Sequence, residues 1–371
     1  MSPSDVLVVG GSTAGATAMR ELRRRGFDGS LTLLDPEDGT NRPPLSKAVL
    51  ADPGRESGVL MDHSPLDVRH VRSRAVSLEP QRRRVVDADG RRHSYGALLV
   101  ATGGRARRLA APGQGGELVL RTIEDARRLR EALVDATSVA VVGAGFLGLE
   151  VATAAVEAGA RAHVVDPDPP LVRLLGTHLA GVLVRRTTDL GITFVRSSAR
   201  LHGDPVSGVE LDDGTVLHVD AVVTCAGDVP DVGWLAGTAL HDEAGILVDP
   251  TARTTIEGVW AAGDVARTAH GGSARRRPFW ANAVTQGRVA AASILDQEID
   301  ASIVDHYVWT EIAGTSLKAV GALPCDGEPE VLEETEAGAL LAWGEQAVVA
   351  LGLKRSVPAL RRLLGERRGG A

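Results

Sequence analysis

The chain has 371 residues, more than one hydrophobic core usually serves, so two or three domains are expected. Its 44% hydrophobic and 24% charged residues are typical of a globular protein, and no apolar run is long enough for membrane insertion. The formal net charge of −7 argues against bulk affinity for nucleic acid.

The first predicted unit spans residues 6–35, which read VLVVGGSTAGATAMRELRRRGFDGSLTLLD. A β-branched run, a glycine-rich turn, a helix-like stretch and a second apolar run indicate a βαβ unit. The turn Gly10–Gly15 follows the GxGxxG pattern, which lets a dinucleotide pyrophosphate approach the backbone at a helix N-terminus, with Ser12 replacing the middle glycine. Asp35 stands where a ribose-binding acid belongs.

The second unit, residues 139–166, repeats this pattern as VAVVGAGFLGLEVATAAVEAGARAHVVD and satisfies GxGxxG fully at Gly143–Gly148. Two such units predict two doubly wound nucleotide domains. Asp166 is expected to accept a hydrogen bond from a ribose 2′-hydroxyl, and no arginine directly follows it. A 2′-phosphate about 4 Å from this carboxylate would be repelled by roughly 4 kcal/mol at an intermediate dielectric, so NADH is predicted over NADPH.

The remaining elements are shorter. Buried strands are predicted at 98–103 and 222–227, and a strand at 258–264 leads into an acidic turn. A helix is predicted over 281–296, and two alternating strands at 339–343 and 347–351 suggest a small third domain. The basic tail, 367–371, is expected to be frayed.

These motifs resemble the FAD-dependent NADH:ferredoxin reductases of bacterial oxygenase systems, the putidaredoxin-reductase and biphenyl-dioxygenase-reductase type. The resemblance is strong over about residues 5–300 and weak beyond them. Besides the glycine loops, the motifs that carry it are Arg42-Pro43-Pro44-Leu45-Ser46-Lys47, Ala101-Thr102-Gly103, the GFLGLE run ending at Glu150, Ala262-Gly263-Asp264-Val265, and Asn282-Ala283 with Gln286-Gly287.

The resemblance implies an α/β fold with two doubly wound dinucleotide-binding domains and a small α+β C-terminal domain. FAD would occupy the first glycine loop, and NADH would visit the second. The corresponding division is a discontinuous FAD-binding domain at 1–112 and 242–300, an NAD-binding domain at 113–241, and a C-terminal domain at 301–371.

The resemblance also implies that Lys47 and Glu150 form an ion pair beside the flavin N5. The chemistry agrees, because hydride arrival places negative charge on the ring and a nearby ammonium stabilises it. Glu150 would orient Lys47 and contact the nicotinamide amide. The alternatives are an ordinary exposed lysine and a surface acid near the positive end of a helix dipole.

Other roles follow from the resemblance alone. Arg42 and Arg121 would neutralise the FAD pyrophosphate, although Arg121 could belong to a plain interdomain connection. Asp264 would accept from the ribityl chain, and Trp280 would pack near the flavin unless it is a core residue. The FAD set is Gly10, Ser12, Thr13, Ala14, Gly15, Asp35, Arg42, Lys47, Val76 (backbone, at the adenine), Ala101, Thr102, Gly103, Arg121, Asp264, Val265 (N–H near the ring oxygen) and Trp280. The NAD set is Gly143, Gly145, Phe146, Leu147, Gly148, Glu150, Asp166 and Gly227 (nicotinamide side).

The two cysteines, Cys225 and Cys325, form no CxxC or CxxxxC pair. Disulfide reductases of this superfamily carry a redox cysteine pair, and the peroxidase types carry one cysteine near the position of Ser46. Both cysteines here are therefore interpreted as structural, and electrons are expected to leave the flavin without a thiol relay. The cysteine usage and the absence of a signal pattern favour a cytoplasmic setting.

Two segments depart from the family pattern. Pro278 stands where the family often has Glu, and Val308-Trp309-Thr310-Glu311-Ile312 stands where it often has Phe-Trp-Ser-Asp-Gln. The face through which electrons leave is therefore interpreted as rebuilt for a different partner or for a small molecule. Arginine runs at 82–84, 105–108 and 275–277 fit either a solvated surface or a docking patch for an acidic protein.

The leading hypothesis is an NADH-dependent flavoenzyme that passes single electrons to a ferredoxin-type iron–sulfur protein serving an oxygenase or P450. The first alternative is direct transfer to a small molecule, a quinone or O2. The second is a non-catalytic flavoprotein that senses NADH, which the intact Lys47 and Glu150 argue against. A monomer or a homodimer is expected, and the acceptor's identity is open at this point.

Overall fold

A computed structural model describes residues 3–270, 273–299 and 306–369 of the chain. The residues group by contact into two compact units. The first unit comprises 1–41, 57–105 and 228–305, and the second comprises 42–56, 106–227 and 306–371. The three domains predicted from the sequence were defined by expected nucleotide binding and not by contacts, and that division stays a prediction.

Regular elements follow one another closely along the chain. The helices are α1 (Thr13–Arg24), α2 (Ala48–Ala51), α3 (Ile123–Asp135), α4 (Phe146–Glu157), α5 (Val172–Leu175), α6 (Thr177–Asp189), α7 (Trp280–Ile294) and α8 (Val357–Gly369). The strands are β1 (Asp5–Val9), β2 (Ser30–Leu34), β3 (Val68–Val71), β4 (Ala75–Glu79), β5 (Arg84–Asp87), β6 (Arg92–Ser94), β7 (Ala97–Val100), β8 (Gly104–Ala106), β9 (Glu117–Leu118), β10 (Ser138–Val142), β11 (Arg161–Val165), β12 (Thr193–Val195), β13 (Ala199–His202), β14 (Gly208–Leu211), β15 (Val216–His218), β16 (Ala221–Thr224), β17 (Asp228–Pro230), β18 (Ile246–Val248), β19 (Val259–Ala261), β20 (Ala266–His270), β21 (Ser273–Arg275), β22 (Tyr307–Ile312), β23 (Thr315–Gly321), β24 (Glu330–Thr335), β25 (Gly338–Trp343) and β26 (Ala347–Leu351).

The first unit is built on a five-stranded parallel sheet in the order β19-β7-β1-β2-β3. Strand β1 is central, and its residues alternate between two apolar cores, with Val6 and Val8 on one face and Leu7 and Val9 on the other. Because β1 pairs with β2 on one side and β7 on the other, its carboxyl end is a switch point, the usual ligand site of such sheets.

The second unit repeats this arrangement in the order β12-β11-β10-β16-β9, with β10 central between β11 and β16. Strand β10 is buried throughout, which explains its continuous run of small and β-branched residues. The internal repeat detected in the sequence therefore corresponds to two doubly wound sheets, as predicted. Small sheets accompany them: the antiparallel β4-β5-β6 and the mixed β18-β20-β21 in the first unit, and the antiparallel β13-β14-β15 in the second.

The C-terminal segment of the second unit forms an antiparallel sheet, β22-β23-β26-β25-β24, covered by α8. The two strands expected at 339–343 and 347–351 are β25 and β26, and the α+β character is confirmed. The frayed tail was a wrong prediction for the described residues, because α8 continues to Gly369. Arg367 donates to the Gly344 carbonyl and Arg368 to the Glu345 carbonyl, each at 2.9 Å, which anchors the last turn. Residues 370–371 lie outside the described residues.

Within the described ranges, none of the helices combines the length and the apolar character required to cross a bilayer.

Candidate nucleotide sites and the Lys47 ion pair

The first glycine loop joins β1 to α1, and its outer glycines are required by the chain's own packing. A Cβ on Gly10 would lie 2.3 Å from the Ala101 carbonyl oxygen, and one on Gly15 would lie 1.9 Å from the Gly10 carbonyl oxygen. Gly10 also has a φ of 103°, a conformation that strongly favours glycine. The two glycines therefore let strand, loop and helix pack closely against one another and against Ala101.

The side chain of Ser12, which replaces the middle glycine, does not occupy the amides at the start of α1. Its hydroxyl donates to the Thr40 carbonyl at 2.5 Å and does not cap α1. The first amides of α1, at Thr13 and Ala14, are thus not satisfied by their N-cap side chain, and an anionic pyrophosphate suits them. The serine departure is compatible with dinucleotide binding.

Asp35 lies at the end of β2 against the same loop. Its Oδ2 accepts from the Gly11 N–H, and its Oδ1 accepts from the Glu37 N–H at 2.8 Å. A carboxylate offers about four acceptor positions, so both oxygens can still accept from ribose hydroxyls. These acceptor oxygens fit the ribose at the adenosine end of FAD.

His63 reaches the same place, although no sequence pattern marks it. A Cβ built on Gly11 would lie 3.2 Å from its Nε2 and 3.3 Å from Asp35 Oδ2. Both ring nitrogens are buried, and neither makes a hydrogen bond of ordinary geometry among the described residues. A lone histidine in an irregular segment carries no periodic signal, so sequence reasoning missed it.

The other FAD candidates of the first unit lie at ends of strands. Thr102 follows β7, and its hydroxyl donates to the Asp231 carbonyl at 2.9 Å. Asp264 and the fully buried Val265 follow β19, where the Asp264 carbonyl accepts from Arg276 Nε at 2.7 Å. Ala101 and Gly103 flank Thr102, so these candidates all belong to connections that leave the parallel sheet.

Two aromatic and apolar candidates are exposed. Trp280 opens α7, is 45% exposed, and donates its indole N–H to Asn41 Oδ1 at 3.1 Å. The alternative of a core tryptophan is therefore wrong. Val76 lies on β4 with its side chain 45% exposed, and its backbone contact with the adenine of FAD stays a prediction. Pro278, which stands where the family often has Glu, is also exposed and lies just before α7.

Arg42 and Arg121 belong to the second unit. Arg42 directly precedes the 3-10 turn Pro43–Ser46. Arg121 precedes α3, and its backbone N–H donates to Asp125 Oδ2 at 3.0 Å beside the Thr122 capping box. Arg121 thus stands at a structured helix start, and its role toward FAD stays a prediction.

The second glycine loop shows which glycines serve the fold and which leave room for a ligand. A Cβ on Gly143 would lie 2.4 Å from the Cys225 carbonyl oxygen, and one on Gly148 would lie 1.9 Å from the Gly143 carbonyl oxygen. Gly145 differs, because the nearest atom to its Cβ would be Leu174 Cδ1 at 3.9 Å and its φ is an ordinary −82°. The packing of the described residues therefore does not require a glycine at position 145, and a phosphate at the start of α4, beside Phe146 and Leu147, stays a prediction.

This contrast gives a paired prediction. Gly148→Ala should destabilise the protein by about 2 kcal/mol or more, because the new methyl overlaps a backbone carbonyl. Gly145→Ala should leave the melting temperature unchanged and raise KM for NADH about tenfold or more, because it fills only the phosphate space. Thermal unfolding and steady-state kinetics measure the two effects. Unchanged NADH kinetics in a well-folded Gly145→Ala would show that the loop does not hold the pyrophosphate.

Asp166 repeats the geometry of Asp35 at the end of β11. Its Oδ2 accepts from the Ala144 N–H at 2.7 Å, and its Oδ1 accepts from the Asp168 N–H at 2.8 Å. Sequence reasoning missed two arginines that come to this connection from later segments. Arg196 Nε donates to the Pro167 carbonyl at 3.2 Å, and Arg173 Nε lies 3.4 Å from Asp168.

Gly227, the remaining NAD candidate, follows β16 with a φ of 89°. No heavy atom of the described residues would lie within 4 Å of a Cβ placed on it. Its conformation accounts for a glycine there, and its place on the nicotinamide side stays a prediction.

Lys47 and Glu150 meet inside the second unit. Lys47 Nζ lies 2.8 Å from Glu150 Oε1, and the two side chains are only 12% and 6% exposed. Neither an ordinary exposed lysine nor a helix-surface acid describes them. Lys47 Nζ also donates to the Pro43 carbonyl at 3.1 Å and lies 4.7 Å from the centre of the Trp309 ring, so its ammonium is fixed from three sides.

Glu150 has two further hydrogen-bond donors. The hydroxyl of the fully buried Thr310 donates to Oε1 at 2.6 Å, and the Ser46 hydroxyl donates to Oε2. The altered segment 308–312 therefore contributes to this buried cluster. The interpretation of this segment as an electron-exit face rebuilt for a different partner or a small molecule did not include this inward contact, and it stays a prediction.

Both cysteines are free and buried. Burial, and then the charge of Glu150, raises the pKa of Cys225 to about 12. Burial, and then Asp326, raises the pKa of Cys325 to about 11. Because thiolates are the reactive form, these environments suit inert, structural cysteines.

We therefore expect both thiols of the native protein to react with a disulfide reagent at about pH 8 at least about 100-fold more slowly than those of the unfolded chain. Stability should also fall as pH rises above about 8.5, because unfolded thiols then lose protons that the folded thiols retain. Absorbance of the released thiolate measures the reaction, with denatured protein as the control. Rapid modification of one native thiol would reopen the possibility of a thiol relay.

The arginine runs contain ion pairs within the first unit. At least one arginine of each run meets a carboxylate, which favours the reading of a structured, solvated surface over that of a docking patch. The pairs are Arg83 with Glu257 at 3.3 Å, Arg105 with Asp231 at 3.2 Å, and Arg276 with Asp228.

Comparison with known proteins places this arrangement in a family. The model of the pyridine nucleotide-disulphide oxidoreductase family matches residues 4–287. The chain belongs to this family. Membership confirms the predicted fold class and the prediction of an oxidoreductase that uses FAD and NADH.

Individual proteins are similar to this oxidoreductase in sequence or structure over most of its length. The rubredoxin-NAD(+) reductase of Pseudomonas putida is 33% identical over 334 residues, with 86% of each chain covered. The ferredoxin–NAD(+) reductase component of the biphenyl dioxygenase system of Paraburkholderia xenovorans (strain LB400) is 33% identical, with 98% of this chain and 93% of the relative covered. The crystal structure of the ferredoxin reductase for the CYP199A2 system from Rhodopseudomonas palustris superposes with a TM-score of 0.86 at 28% identity. The match covers 94% of this chain and 91% of that reductase.

Proposed function

We propose that this oxidoreductase takes a hydride from NADH onto FAD and passes the electrons singly to a ferredoxin- or rubredoxin-type iron–sulfur protein that serves an oxygenase or P450. The buried Lys47–Glu150 pair, in the same unit as the second glycine loop, carries this proposal. The names of the relatives, rubredoxin and ferredoxin reductases, support the class of acceptor.

In this proposal each group of residues has a separate role in binding or in hydride transfer. The loops at Gly10–Gly15 and Gly143–Gly148 bind the two pyrophosphates, and Asp35 and Asp166 accept from the riboses. FAD, when bound, supplies a ring that accepts a hydride and releases electrons one at a time. Lys47 stabilises the negative charge that develops with hydride transfer, in an environment shielded from water.

Glu150 orients the lysine ammonium, which lies 2.8 Å from its Oε1. Three donors fill three of about four acceptor positions on its carboxylate, so one position on Oε2 is left for the nicotinamide amide. The carboxylate can therefore position both Lys47 and the visiting nicotinamide. Within the described residues the cysteines are buried and protonated, which is consistent with electron exit without a thiol relay.

The deciding experiment is a double-mixing stopped-flow assay. The protein is first reduced with NADH without oxygen and then mixed with a ferredoxin, a rubredoxin, a quinone or O2. Fast reoxidation by an iron–sulfur protein, with slow reoxidation by the others, supports the proposal. Fast reoxidation by a quinone or O2 alone would replace it with the small-molecule alternative, and slow reduction by NADH would favour a sensor.

A further inference from the structure

Three separate chain segments converge on the Glu150 carboxylate in the second unit. The turn Pro43–Ser46 and the residue after it contribute Ser46 and Lys47, α4 contributes Glu150, and β22 contributes Thr310. Thr310 is 0% exposed and its hydroxyl lies 2.6 Å from Glu150 Oε1, the same oxygen that holds Lys47 at 2.8 Å.

The position of this contact matters because one carboxylate oxygen serves two donors. Oε1 must lie where both the Thr310 hydroxyl and the Lys47 ammonium can reach it, so Thr310 restricts rotation of the carboxylate. Its neighbour Trp309 lies under the ammonium at 4.7 Å, so two successive residues of β22 contact the two members of the ion pair. A sheet of the C-terminal segment thereby reaches the hydride-transfer machinery.

We propose that Thr310 is a positioning residue that holds Glu150 and, through it, Lys47 in the geometry needed for flavin reduction. This inference rests on the proposed function, in which Lys47 stabilises charge on the flavin. Thr310 itself touches neither reacting group. Its hydroxyl is needed for this role, while its methyl group and volume are needed only for packing.

The test compares Thr310→Val, which removes the hydroxyl at nearly constant volume, with Thr310→Ser, which keeps it. Thr315→Val is the matched control, because Thr315 is a buried threonine of the same sheet whose hydroxyl donates to the Ala313 carbonyl and not to the ion pair. For each variant, the rate of flavin reduction at saturating NADH, the KM for NADH, the FAD content and the melting temperature are measured. The midpoint potential of bound FAD is measured separately by titration with a chemical reductant.

Thr310→Val should slow reduction about tenfold, the loss expected for one hydrogen bond to a charged group, and should affect KM less. The midpoint potential should become more negative, because a displaced ammonium stabilises the reduced flavin less. Thr310→Ser should restore both values, and Thr315→Val should leave them unchanged.

A wild-type rate and potential in Thr310→Val would overturn the inference, as would equal losses in Thr310→Val and Thr315→Val, which indicate packing alone. If Thr310→Val does not fold, Thr310→Ala is compared with Thr310→Ser in the same assays. Failure of the proposed function looks different, because NADH would then fail to reduce the wild-type flavin. The potentiometric comparison would still decide the role of Thr310.

Discussion

Replacing Lys47 with alanine is expected to slow reduction of bound FAD by NADH about 100-fold, the usual loss when one preorganised charge-stabilising group is removed. FAD should remain bound, since the first glycine loop and Asp35 are unchanged. Stopped-flow absorbance of the oxidised flavin measures the rate, and the flavin-to-protein ratio measures retention. The effect should appear in the reduction rate more than in KM, because Lys47 acts on developing charge.

Lys318→Ala is the matched control for that variant. Lys318 is also partly buried in the second unit, and its Nζ donates to the Arg355 carbonyl at 3.2 Å. The control should reduce at the wild-type rate. A Lys47→Ala protein that is reduced as fast as wild type would remove Lys47 from the mechanism.

Discrimination against NADPH should depend on Asp166. The wild-type enzyme is expected to favour NADH over NADPH by about 100-fold or more in kcat/KM, because a 2′-phosphate would face this carboxylate. Asp166→Ser should reduce the preference at least about tenfold, mainly by improving NADPH. Arg173 and Arg196, which already lie at the same connection, then provide the nearby positive charge.

Asp213→Ser is the control for this prediction, since Asp213 is an exposed aspartate of the same unit that accepts from the Thr215 N–H at 2.9 Å. Its preference should change much less. The preference is measured as the ratio of kcat/KM for NADH to that for NADPH in steady-state kinetics. Equal kcat/KM values for NADH and NADPH in the wild type would refute the assigned role of Asp166.

The sequence was sufficient to predict both glycine loops and their sheets. Local physics determines these features, because a β-branched run, a tight glycine turn and an amphipathic helix must occur in order within about 30 residues. The structure adds that Gly148 is needed for packing while Gly145 leaves room for a ligand. No pattern in one sequence separates those two reasons for a glycine.

Long-range contacts could not be predicted in the same way. Thr310 lies 160 residues from Glu150 along the chain, and its hydrogen bond is visible only once β22 is placed against α4. The arginines near Asp166 and the histidine at Gly11 likewise arrive from other segments. The frayed tail was mispredicted for the same reason, since Arg367 and Arg368 are anchored by carbonyls more than 20 residues away.

The most direct test of the account is anaerobic mixing of the FAD-loaded protein with NADH while the absorbance of the oxidised flavin is followed. A resident flavin, a visiting NADH and the buried Lys47–Glu150 pair together predict rapid and complete bleaching, with one NADH consumed per FAD. A flavin that stays oxidised, or a long-lived NADH–flavin complex that bleaches only slowly, would contradict the account.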